Sequence, residues 1–134
     1  MAALTAGRVT QEWAPLTKIR AYRQALTGQI YEGGIVALNA SGLATAAGSG
    51  TGQIAVGVAQ LSQLAVSVTP YSTITVAQGT FHVNADTAFA LTNIGSSCYL
   101  LDDQTVTMTS TGHSIAGVVC DIDAAGNPWV KITL

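Results

Sequence analysis

The sequence predicts an all-β protein: a small β-barrel or sandwich built from two related hairpin-plus-strand halves, preceded by an extended N-terminal arm. Three observations carry that prediction. From Gln29 onward, short apolar or alternating runs rich in Val, Ile, Thr and aromatics are separated by Gly, Asn, Asp and Ser turns, the texture of consecutive strands. A strand-turn-strand pattern starting at Ile35 returns at Cys98. The 134 residues suit one domain with a core that needs no disulfide or metal.

Residues 1–28 scatter Leu4, Val9, Trp13, Leu16, Ile19, Tyr22 and Leu26 without a sustained strand pattern and read as an arm. Leu16, Ile19, Tyr22 and Leu26 have helix-like spacing, but Pro15, Thr17, Thr27 and Gly28 restrict any helix to about three turns. Residues 29–134 form the β-domain. Its first hairpin is Ile35–Leu38, a turn at Asn39–Gly42, and a short strand from Leu43; its second is Cys98–Leu101, a turn at Asp102–Thr105, and Val106–Met108. The two align at an offset of 63, and each is followed by a glycine-containing strand, Ile54–Ala59 and Ile115–Cys120. Those strands match at Gly57 and Gly117 with an offset of 60, so the first copy has a loop longer by three residues, in Ala47–Gln53. The duplication thus spans about 35–59 and 98–120. Between the copies, Thr73–Val76 leads through Gly79 to Phe81–Val83, and the apolar parity changes from even to odd. A bulge near Ala77–Gly79 is the expected cause. Val118–Ile122, a turn at Asp123–Asn127 and Trp129–Leu134 form a last hairpin.

Only 9% of residues are charged, against about a quarter in ordinary soluble domains, and 49% are hydrophobic, which predicts apolar surface facing another subunit. No run reaches the roughly 18 apolar residues of a spanning helix, so no membrane partner is expected. The start of the chain lacks the basic region and apolar core of a secretory signal, and assembly in a cytoplasm is the simpler expectation. Charge is lopsided. Arg8, Lys18, Arg20 and Arg23 against Glu12 give the first 24 residues +3, whereas Lys131 against Glu32, Asp86, Asp102, Asp103, Asp121 and Asp123 gives the rest −5. That asymmetry points the N-terminal segment towards an acidic protein surface.

Chemical motifs are weak. Cys98 and Cys120 lack metal or redox spacing and are expected as buried free thiols. Asp121-Ile122-Asp123 lacks the further ligands of a calcium loop, and Asp102-Asp103 reads as a turn pair. His113-Ser114 with a downstream Asp has hydrolase residue types but no nucleophile elbow. His82 is expected to face solvent or an interface. Gly48–Gly52 lacks the Lys-Ser/Thr ending of a phosphate loop and reads as a mobile surface loop. An acidic body with few stacking aromatics gives no direct nucleic-acid partner. No catalytic residue, metal or cofactor is expected; the chain is read as not an enzyme.

The opening Met1–Arg8, the run Ile30–Gly42, Ala55–Ala59, Gln78–Phe81, Ile94–Val106, Ser114–Val119 and Asp121–Asp123, taken in order, resemble the small tailed-bacteriophage capsid decoration (cement) proteins encoded beside major capsid genes. The resemblance covers most of the chain, departing at Val9–Arg23 and in a shortened section after Gln60. It implies a β-barrel on the exterior of the virion capsid, assembled in the host cytoplasm, with the phage major capsid protein and its own copies (a dimer or trimer) as partners. The arm residues Arg8, Trp13, Lys18, Arg20, Tyr22 and Arg23 are then the expected capsid contacts, since Arg and aromatic side chains suit interface anchors. The alternative expectation is a head-fibre, tail or baseplate component acting as an adhesin.

Overall fold

The computed structural model describes residues 18–26, 28–64 and 72–134. In chain order the strands are β1 (Lys18–Arg23), β2 (Gln29–Ile30), β3 (Ile35–Leu38), β4 (Ala44–Ala46), β5 (Ile54–Ala59), β6 (Gln63–Leu64), β7 (Thr73–His82), β8 (Asn84–Ala85), β9 (Ser97–Leu100), β10 (Thr105–Thr107), β11 (Ile115–Ile122) and β12 (Pro128–Ile132). A 3-10 turn at Leu91–Asn93 is the one helical element among the described residues. The protein is all-β, as the residue pattern predicts.

Strand pairing falls into two rings. In the first the order is β4-β3-β5-β7-β1, and Gln24, directly after β1, bridges in parallel to Ala44 of β4. In the second the order is β10-β9-β11-β12-β7, and β8, directly after β7, pairs in parallel with β10. β7 serves both: Thr73–Gln78 pairs with β1, and Gly79–His82 with β12. Closing a sheet on itself removes the exposed edges that invite unwanted pairing.

The rings are one structure built twice. Leu38↔Ala44 in the first hairpin answers Leu100↔Val106 in the second. Val36↔Gly57 answers Cys98↔Gly117, and Ala59↔Val76 answers Val119↔Val130. Even the closures correspond, Gln24↔Ala44 with Ala85↔Val106. The turns before each hairpin match too: Gly33 N–H donates to Ala59 O at 3.0 Å and Gly95 N–H to Val119 O at 2.8 Å, with φ of 83° and 89°. The repeat therefore extends across β1–β7 and β7–β12, beyond the hairpin and third strand legible in the sequence. The hairpin offset is 62 rather than 63, because β3 buries Ile35, Val36 and Ala37 alike. A strand buried on both faces has no parity with which to fix its register.

Both third strands carry the same bulge. The register skips Val56 in β5 and Ala116 in β11, each just before the matching glycine. A methyl group at Gly57 would overlap the Ala77 carbonyl, and one at Gly117 the Lys131 carbonyl, so both sites need glycine for close backbone approach. The bulge expected at Ala77–Gly79 is not found, since the ladders of β7 with β1, β5 and β12 each run without a register shift. Parity changes there because one face of β7 sends Ile74 and Val76 into the first core, and the other sends Phe81 into the second.

That first core, lined by Ile30, Val36, Ala44, Val56, Ala59, Ile74 and Val76, fills the first ring. The larger core joins Cys98, Leu100, Val106, Val119, Val130 and Ile132 of the second ring to Ile35, Ala37, Ala55 and Val58 from the outer wall of the first. The second ring is thus closed by the back of the first. The first described strand, β1, starts at Lys18, inside the segment read as an arm. β1 is held mainly by its ladder with β7 and leaves Ile19, Arg20, Ala21 and Arg23 exposed, so it has no buried alternation to betray it.

Candidate interaction surface

Of the expected capsid contacts, Arg8 and Trp13 lie outside the described residues. Lys18, Arg20, Tyr22 and Arg23 all belong to β1, which gathers three cations on six residues of strand. Arg20 and Arg23 are exposed, and no carboxylate among the described residues pairs with either or with Lys18. Tyr22 is different: its ring packs against the first core and its hydroxyl accepts from Gln78 Nε2 at 3.3 Å.

A second surface escaped the sequence reading. Ile54, Ile115, Val118 and Leu134 are exposed and, with Lys131 and Thr133, line an open, mainly apolar groove of about 550 Å³ between β5 and β11. Trp129 is also exposed, one residue before Val130 in β12. The Ile115–Cys120 run reads as core because it is uniformly apolar. The available signal was the glycine alignment, which sets Ile115 and Val118 against the smaller or buried Ala55 and Val58.

The polar constellations are occupied by structure. Asp123 Oδ1 accepts the Ala125 and Asn127 N–H groups, both at 2.9 Å, and Oδ2 lies 2.7 Å from His82 Nε2. The Asn127 backbone N–H first, and the His82 side chain next, hold this carboxyl below its ordinary range. His82 in turn leans on Trp129, ring centroids 5.2 Å apart. Ser114 Oγ donates to Gly50 O at 2.9 Å and accepts from Gln53 N–H at 3.0 Å, while His113 Nδ1 sits 3.4 Å from Ser49 Oγ. These contacts, with Gln53 Nε2 donating to Gly48 O, tie down the glycine-rich loop read as mobile. Asp102 Oδ1 accepts from Gln104 N–H inside its turn, at 2.9 Å. Groups of three or more His, Cys, Asp or Glu suited to a metal are not found among the described residues.

The cysteines separate. Cys98 is buried, and desolvation pushes its thiol up to about 11. Cys120, expected to be buried, is exposed, because β11 alternates Val118 outward and Val119 inward and so turns Cys120 outward again.

Comparison with known proteins adds nothing to these observations. No family model, curated protein or solved structure matches the chain.

Proposed function

We propose that this chain is a structural protein of a bacteriophage virion that binds the outer surface of the major capsid lattice and stabilises the head. The observation that carries this reading is the cationic strand β1, largely exposed and paired with no carboxylate among the described residues, on a body whose remaining charge is acidic. The resemblance in sequence to capsid decoration proteins supplies the partner. Two interlocked rings make a stiff body, and β1 joins that body directly to residues 1–17. Each contact of such a small subunit is weak, but many symmetry-related contacts on one shell act together. No bond-making chemistry is required.

The test is binding of the purified chain to capsids that lack it. Arg20→Glu with Arg23→Glu should weaken binding about tenfold or more, and wild-type binding should fall as salt rises, since exposed charges are screened. Undiminished binding by the double variant would remove β1 from the contact. Attachment of the wild-type chain to tails or fibres instead of heads would favour the adhesin reading.

A further inference from the structure

The duplication exposes a mismatch between equivalent faces. In the first ring, the outer wall of β3 and β5 is covered by the second ring: Ala55 and Val58 are each only 8% exposed. Their equivalents in the second ring, Ile115 and Val118, are 57% and 41% exposed. The side chain at the first of these positions is larger in the exposed copy than in the covered one. Exposure of an Ile and a Val side by side, continuing into Ile54 and Leu134, makes a contiguous apolar patch, and such patches mark interaction sites.

We propose that this wall, formed by Ile54, Ile115, Val118 and Leu134, is a self-association face covered by a second copy of this chain. The molecule itself shows what this face of the unit binds. In the first ring the corresponding face is buried against another copy of the same unit. The groove also begins at that internal contact, since Ile54 and Ala55 of the first ring line it together with Ile115–Val118 of the second. Among the described residues of its lining only Lys131 is charged, which suits a partner surface equally poor in charge, as this chain is at 9%. Desolvating apolar side chains at an interface core is the dominant favourable contribution to such pairing.

Cys120 reports on the same face. Its sulfur lies 3.6 Å from the Val118 carbonyl, and it is exposed while Cys98 is buried. Self-association is read on the isolated chain without capsids, so its failure and a failure of capsid binding are separate results.

Light scattering after size exclusion on the full chain should give a mass that is a multiple of 13.7 kDa. Ile115→Asp and Val118→Asp should each return it to a single chain with an unchanged far-ultraviolet spectrum. Leu91→Asp, at an exposed apolar site in the 3-10 turn before β9 and outside the groove lining, should leave the assembly intact. Alkylation of Cys120 should be at least several-fold slower in the wild type than in Ile115→Asp. A wild-type chain that is monomeric at every concentration overturns the proposal. So does an assembly that survives both groove substitutions, or Cys120 reacting equally fast in both proteins. If an aspartate variant fails to fold, Val118→Thr, close in shape to valine, must still shift the equilibrium towards monomer.

Discussion

At the residue scale, glycine and aspartate carry the structure's least replaceable roles. Gly117 faces the Lys131 carbonyl so closely that Gly117→Ala should cost about 1–3 kcal/mol by denaturant unfolding. Gly48 has nothing within reach of an added methyl, and Gly48→Ala should stay within about 0.5 kcal/mol. Asp123 has its carboxyl lowered in the folded state by the turn it caps. A lowered group stabilises above its unfolded value and loses that contribution as pH falls through the folded one. Wild type should therefore exceed Asp123→Asn in stability at neutral pH, with the difference vanishing in acid below the ordinary Asp range; a gap that widens in acid contradicts this. Thiol titration of the native protein should find Cys120 reactive and Cys98 silent until unfolding. Only part of this was legible. Pairing Gly57 with Gly117 needed no structure, whereas the run Val118-Val119-Cys120 is apolar throughout and does not show which of its faces points outward.

At the scale of elements, β1 closes the first ring. Deleting residues 1–17 should leave the unfolding midpoint close to that of the full chain. Deleting residues 1–24 also removes the ladder with Thr73–Gln78 and the closing bridge to Ala44, uncovering Ile74 and Val76. That loss should cost about 2 kcal/mol or more, read as a lower denaturant midpoint. Equal stability of the two deletions would mean that β1 does not close the ring. The sequence could not place this strand, because main-chain hydrogen bonds hold it while most of its side chains, Tyr22 apart, face water. The hairpins were legible for the opposite reason. Their turns carry Asn39 and Asp102, whose side chains accept backbone N–H groups, a local chemistry that needs no tertiary context.

For the whole molecule, the duplication explains more than the fold class did. Two equivalent rings share β7, and the second uses the first as its lid, so the pair folds as one body although each half is only about five strands. Val36 and Ala37, both fully buried, show why the outcome was hidden: first-ring strands serve two cores at once, and their apolar run reads only as generic interior. The same asymmetry leaves Ile115 and Val118 exposed. Function rests on where that body sits. Electron cryomicroscopy of the assembled particle is the most direct measurement of it. The double ring should appear on the outer face of the shell, repeated over the lattice, with Lys18–Arg23 turned towards the major capsid protein. Density for the chain at the tail or fibres, or a shell-bound body with β1 turned to solvent, would contradict the account.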